Sequence, residues 1–293
     1  MIRFMRFTWL YFLISGLVII PGFISLTLYG LRPSIDFTGG TELQVLVEPK
    51  DGQAVSEDEI RKGFGESLDI SEIRIVDKSI LLKAKPIDTT KKDAAMEKLR
   101  QSFAEVKETR FETVGPVLGR ELLVKTLIAM LLSASGITLY VAYRFSELKY
   151  GVCAVLAMFH DSLVLFGVFS LLGHFMHVEV DVLFVTAVLT ILSFSVHDTI
   201  VVYDRIRELR RRNTGKPYID LVDTAVTETM SRSINNSMTI IFMLFVLWLF
   251  GGNTIQWFVF ALLVGTVTGT YSSTFTAAPL LVVWDAFVRK RRK

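Results

Sequence analysis

Residues Asp181 to Arg212 read DVLFVTAVLTILSFSVHDTIVVYDRIRELRRR, and this stretch decides the fold. From Asp181 to Tyr203 it is apolar, long enough at about 1.5 Å per residue to cross a hydrocarbon core of about 30 Å as a helix. It stops at a basic cluster, Arg205, Arg207, Arg210, Arg211 and Arg212. Asp198 sits roughly 8 Å inside the basic end. Insertion scales put an ionised side chain at a helix centre at about 2.5 to 3.5 kcal/mol, so an acid kept there is a candidate functional group.

Outward from this span, comparable apolar runs cover Phe7 to Leu31, Leu122 to Tyr143, Tyr150 to Leu172, Ile234 to Phe250 and Ile255 to Val288. The first is too long, and lacks the small-residue cleavage site, for a secretory signal peptide, and reads as an uncleaved span. The expected fold is therefore a polytopic α-helical membrane protein with six transmembrane helices. Basic residues mark the cytoplasmic side: Arg3 and Arg6, then Arg144 and Lys149, then Arg205 to Lys216, then the Arg289 to Lys293 tail. The alternate short loops, Gly173 to Val180 and Gly251 to Thr254, carry none. Both termini are then cytoplasmic, and the segment after span one is exported. The RKRRK tail reads as an anchor to the anionic lipid bilayer.

That segment is a different material. Residues 31–120 hold 15 of the 32 lysines and arginines and 17 of the 29 acids. Thr41 to Glu48 alternates as a strand, with Leu43, Val45 and Val47 on one face. Ser56-Glu-Asp-Glu59 has capping-box spacing and opens a helix to about Leu68. Glu72 to Val76 and Ile80 to Lys85 read as a strand pair, Thr89 or Thr90 caps a helix through Phe103, and Lys107 to Val114 supplies a last strand. The order β-α-β-β-α-β predicts an exported ferredoxin-like α+β domain between helices one and two. The expected divisions are 1–31 for the first span, 32–120 for the exported domain, 121–288 for a five-helix bundle and 289–293 for the basic tail.

Several functions are excluded. One cysteine, Cys153, allows no intrachain disulfide, and four scattered histidines with it make no zinc-type cluster. A net charge of +3 without an arginine stripe interleaved with aromatics gives no nucleic-acid footprint. No phosphate-binding Gly-x-x-x-x-Gly-Lys-Ser/Thr loop is present, so nucleotide is not the energy source. No cofactor and no metal are expected, and His174 and His177, three apart in an external loop, read as a solvated turn. Within the membrane the candidates are Asp198, Asp161 midway along span three, and Arg232 at the start of span five as the nearest cation to Asp198. Gly265, Gly269, Ser273 and Ala277 recur every four residues in span six, a small-residue stripe for close helix approach.

These segments resemble the SecF family of protein-translocase subunits. The matching motifs are Ser34-Ile-Asp-Phe-Thr-Gly-Gly40, Val114-Gly-Pro-Val-Leu-Gly119, His160-Asp161, the string from Ser195 to Glu208, Ser231-Arg-Ser233, Phe250-Gly-Gly252 and Gly269-Thr-Tyr-Ser-Ser273, spread over nearly the whole chain. The resemblance implies a resistance-nodulation-division type protein of the bacterial cytoplasmic membrane. Such a protein pairs with SecD beside the SecYEG channel and assists late export of a preprotein with an ion gradient. The family's intramembrane Asp and Arg fall on Asp198 and Arg232, which are expected to act as a pair. Asp36, Phe37, Gly39, Gly40, Asp204 and Arg205 carry the other motif positions. Ser34 replaces the family's usual Gly, and His197 replaces its usual Asn beside Asp198, where it would join a proton path or stand in for an amide hydrogen bond. Two other readings are a small-molecule efflux carrier, against which a single insert and six spans argue, and a passive assembly scaffold.

The topology is open to a direct check. Cysteines placed at Lys50 or His174 are expected to react with an impermeant thiol reagent from outside intact cells, and those at Gly215 or Arg291 are not. External labelling at Gly215 would reject the six-span arrangement.

Overall fold

Long apolar runs become long helices because the backbone of a lipid-embedded segment must satisfy its own hydrogen bonds. The structure, a computed structural model, describes residues 3–48, 60, 69–76, 79–145, 147–212 and 215–291. Among these, six helices are long and apolar enough to cross a membrane. They are α1 (Thr8–Tyr29, entered through a 3-10 turn, Phe4–Phe7), α4 (Pro116–Arg144), α5 (Leu148–Met176), α6 (Val182–Arg211), α7 (Tyr218–Phe250) and a last helix. That last helix runs as α8 (Asn253–Ser272), a π-helical turn (Ser273–Ala277) and α9 (Ala278–Arg291). Contacts divide the chain into two units, Met1–Arg32 with Ile128–Lys293, and Pro33–Leu127.

In the first unit, half of the apolar window of α5 and of α6 is buried, against none of that of α4, so α5 and α6 form the centre. Two glycine contacts set the spacing. A Cβ built on Gly167 of α5 would lie 2.6 Å from the Cα of Gly22 on α1, and one turn on Ser25 and Ser170 share a hydrogen bond of 2.8 Å. On α8, a Cβ on Gly265 would lie 2.1 Å from Ile191 of α6, and one on Gly269 would lie 3.4 Å from the Cα of Ser195. At Gly22 and Gly167 the helix backbones themselves meet, whereas at Gly265 the missing side chain makes room for Ile191.

Helix α7 begins sixteen residues before the apolar run expected from Ile234. Its first turns are amphipathic, with Leu221, Val222, Ala225 and Val226 buried in the same core as Tyr150, Tyr203 and Ile206. Hydropathy marks only the hydrocarbon-facing part of a helix, whereas one-sided burial extends it beyond.

The second unit holds a short helix, α2 (Ile35–Thr38), four strands and α3 (Thr89–Ser102). The strands are β1 (Gly40–Glu48), β2 (Ile70–Val76), β3 (Ser79–Ala84) and β4 (Glu105–Val114). They form one sheet in the order β2-β3-β1-β4, every neighbouring pair antiparallel. Alternation puts Leu43, Val45 and Val47 of β1 and Ile80 and Leu82 of β3 into a core with Ala95, Met96, Leu99 and Phe103. Residues Glu42, Lys83 and Arg110 pair on the other, polar face. The helix expected from Ser56 to Leu68 lies outside the described residues except Ile60, which is fully buried in this core. The α3 cap differs from expectation. Asp88, not Thr89 or Thr90, is the N-cap and accepts the Lys91 N–H at 2.9 Å, because its backbone is extended while Thr89 is already helical.

The glycine contacts generate a stability prediction. Gly167→Leu is expected to lower the midpoint of thermal unfolding in detergent by the equivalent of about 1 to 3 kcal/mol, the usual cost of overpacking. Gly136→Leu, at a position open to its surroundings, is expected to leave it unchanged. Equal midpoints for the two variants would deny the close crossing.

Candidate functional site

The inner face of α6 carries Ile191, Ser195, Asp198 and Val202, spaced as one helix stripe and all buried. Opposite Ser195, α5 presents Asp161, 1% exposed. Asp161 Oδ2 accepts the Ser195 hydroxyl at 2.5 Å and the Ser272 hydroxyl at 2.6 Å, while Oδ1 meets His160 Nδ1 at 2.9 Å. Asp198, 7% exposed, accepts the Ser233 hydroxyl of α7 at 2.8 and 2.7 Å on its two oxygens. Its Oδ2 also accepts Ser273 at 2.5 Å. A buried carboxylate must find donors, and here hydroxyls supply nearly all of them.

Ser272 and Ser273 are adjacent in sequence, and a helix turns its side chains by ~100° per residue. That rotation lets one serine reach α5 and the next reach α6. Each hydroxyl has a second acceptor on its own helix, Gly269 O for Ser272 at 3.3 Å and Thr270 O for Ser273 at 3.1 Å. The π-turn opens at Ser273 and precedes Pro279, which has no N–H to donate and whose ring crowds the preceding turn. The Tyr203 hydroxyl of α6 donates to the carbonyl of Ala277 at the end of that turn, at 2.8 Å. Nearby, Thr270 donates to Ser237 of α7 at 2.6 Å.

The expected pairing of Asp198 with Arg232 is not formed. Ser233, the next residue, turns inward to hold Asp198, and one step of helix rotation leaves Arg232 on the exposed face, with no hydrogen-bond or ion-pair partner among the described residues. His197 is exposed for the same reason on α6 and contacts neither acid. Gly265 and Gly269 face α6, and Ser273 is a direct partner of Asp198. The stripe thus serves packing and binding together.

At the basic end of the helices, Asp204 pairs with Arg144 and with Arg207, and Arg205 with Glu208 and Glu228. Glu147, between α4 and α5, is held by Arg210 at 2.7 Å and Lys149 at 3.2 Å. Burial alone would raise the Glu147 carboxyl, but these two cations outweigh it and hold the group below the ordinary range. Asp223 of α7 is buried and accepts the backbone N–H of Met5 at 2.8 Å. At the other end His174 stacks on Tyr29 and His177 bonds Arg32 at 2.7 Å.

In the second unit, Ser34 caps α2 by accepting the Asp36 N–H at 3.2 Å, and Phe37 is buried. Gly39 and Gly40 take φ of +72° and +136°, backbone that side chains rarely adopt. A Cβ on Gly39 would lie 2.6 Å from Pro116, and one on Gly119 would lie 2.8 Å from the nitrogen of Gly39. The two motifs on either side of the insert therefore pack backbone to backbone. Sequence reasoning did not assign roles to Ser195, Ser233, Ser272 and His160. The available signal was spacing: Ser195 lies three residues before Asp198, and Ser272 beside Ser273.

Apolar helices around two hydroxyl-bound acids, with an inserted sheet, define a multi-pass membrane protein. Residues 94–286 match the family described as protein export membrane protein SecD/SecF, C-terminal, and residues 24–51 match the SecD/SecF GG motif. The chain is 42% identical to the protein translocase subunit SecF of Thermobaculum terrenum, over 97% of this chain and 94% of that one. It is 35% identical to the SecF of Synechocystis, over 86% and 82%. The crystal structure of SecDF from Thermus thermophilus, a translocon-associated membrane protein, superposes with a TM-score of 0.84 at 31% identity. That match covers 97% of this chain, which spans 39% of the SecDF chain. The chain belongs to the SecF family of protein translocase subunits.

The Asp161 cluster predicts an ordering of variants. Asp161→Leu strands the Ser195 and His160 donors, Ser272 turning to the Gly269 carbonyl, and is expected to destabilise the protein by about 2 to 3 kcal/mol. Asp161→Asn keeps one oxygen for the two serines and turns its amide to His160, which accepts after a change of tautomer, so thermal unfolding is expected to move little. Equal loss in both variants would contradict the assignment.

Proposed function

We propose that this chain works with SecD beside the SecYEG channel and uses an ion gradient to assist late export of preproteins across the bacterial cytoplasmic membrane. Both termini are cytoplasmic in this reading, and the inserted sheet is an exported ferredoxin-like domain. The observation that carries the proposal is Asp198: a buried carboxylate in an apolar helix whose hydrogen-bond partners are the hydroxyls of Ser233 and Ser273. When such an acid takes a proton it becomes a donor, and one of its oxygens stops accepting. With the proton on Oδ2, Ser273 turns away and has the Thr270 carbonyl to receive it, while Ser233 keeps Oδ1. Ion occupancy is thereby linked to how the last helix is held against α6 and α7.

Arg232 and His197 have a role through a neighbour. They stand exposed with Asn235 and Asn236 on spans that are otherwise apolar, and a charged group facing lipid is costly. A partner subunit covering this face would place its own polar groups against Arg232, within reach of Asp198. The protein translocase subunit SecDF of Thermus thermophilus supports SecD as that partner: this chain is 34% identical to it over 90% of its own length and 35% of that protein's. Movement at the acids reaches the exported domain through its two chain connections, α1 and α4.

The test is Asp198→Asn in vesicles containing the complete translocase. Normal assembly with loss of gradient-stimulated export and of ion flux is expected. Arg232→Lys is expected to be impaired too, since lysine lacks the planar fork for carboxylate pairing. Full export by a well-assembled Asp198→Asn protein would leave the passive-scaffold reading.

A further inference from the structure

A groove of about 680 Å³ runs between α5 and α9, away from the two acids. Leu156, Leu280, Val283 and Phe287 form its walls, Trp284 lies along it, and Arg291 stands at its end. The Arg291 guanidinium is held over the Phe287 ring, 4.7 Å from the centroid, while Arg289 is engaged by Asp285 at 2.7 Å. From Leu280 to Arg291 a helix rises about 16 Å, close to half of a hydrocarbon core of about 30 Å. The groove is therefore apolar over the depth of one leaflet and cationic where that leaflet meets water.

We infer that this groove is a binding site for one anionic phospholipid, an acyl chain lying along Trp284 and the headgroup phosphate on Arg291. The charge and the length both select this occupant. A polar partner helix would meet a cation at the rim and, besides the Trp284 indole and the Cys153 thiol, no donor or acceptor along the walls, whereas an acyl chain under a phosphate matches the apolar walls and the cation in order. The site differs from a diffuse attraction of the basic tail, since it assigns the contact to one arginine already positioned by Phe287. It is independent of the proton-coupling reading.

Trp284 is a built-in reporter. In the full chain with Trp9, Trp248 and Trp257 each changed to Phe, reconstituted in phosphatidylcholine vesicles, brominated phosphatidylglycerol is expected to quench Trp284 more strongly than brominated phosphatidylcholine at the same mole fraction. Arg291→Gln is expected to reduce that preference by up to about fivefold, the change that follows loss of one basic contact at an anionic membrane surface. Lys290→Gln is expected to leave it. Equal quenching by the two lipids, no quenching by either, or equal loss in Lys290→Gln and Arg291→Gln would each overturn the assignment. Arg291→Lys, which retains the charge, is expected to keep most of the preference, and loss there equal to that in Arg291→Gln would overturn it as well.

Discussion

Two carboxylates buried among apolar helices must be given hydrogen-bond donors, and much of the first unit follows from how that is done. Serine is short, so a serine on one helix reaches an acid on another only where the helices nearly touch. Gly265 and Gly269 allow that approach by leaving room for Ile191 and for the backbone at Ser195. The close packing then delivers Ser272 to Asp161 and Ser273 to Asp198. A larger residue at either glycine would separate the helices and withdraw both donors, so the small-residue stripe and the acids form one device. The π-turn belongs to it as well, since it starts at the second of those serines and its last carbonyl is taken by Tyr203.

Hydroxyl donors differ from a cation in a way that matters for a transport protein. An arginine beside Asp198 within the chain would fix the acid as an anion and make its protonation costly. A serine can release the acid and keep a hydrogen bond, because its own helix offers a carbonyl three residues back. For Ser272 and Ser273 both alternatives are already within hydrogen-bond distance. For these two serines, loss of the acceptor on the acid costs a rotation of a hydroxyl rather than an unsatisfied buried group.

The sequence made the six spans legible because each is longer and more apolar than a soluble core helix needs to be, and the first strand because Leu43, Val45 and Val47 alternate so regularly. It located Asp161 and Asp198 by their cost in hydrocarbon. It could not say what satisfies them. Arg232 and Ser233 are neighbours, and only the rotation of α7, set by the burial of Leu221, Val222, Ala225 and Val226 several turns earlier, decides which one turns inward. A charge-based reading chooses the arginine, while the packed helix presents the serine. The start of α7 was missed for a related reason: its first turns are buried on one side only, and a hydropathy run does not register one-sided burial.

What remains on the outside is as informative as what is buried. Helix α4 has none of its apolar window buried, as suits a helix bathed in lipid, but α6 and α7 expose His197, Arg232, Asn235 and Asn236. Lipid tails offer these groups nothing, and Arg232 at the start of the apolar part of α7 could reach water only by extending along the helix. Two neighbouring helices bearing such groups beside a protonatable acid make sense as one wall of a polar seam whose other wall is a second bundle. Asp198 would then be reached by ions through the seam and reported to the bundle by Ser233 and Ser273. The hydroxyl side of the acid would carry the mechanical consequence, and the arginine side the control over its charge.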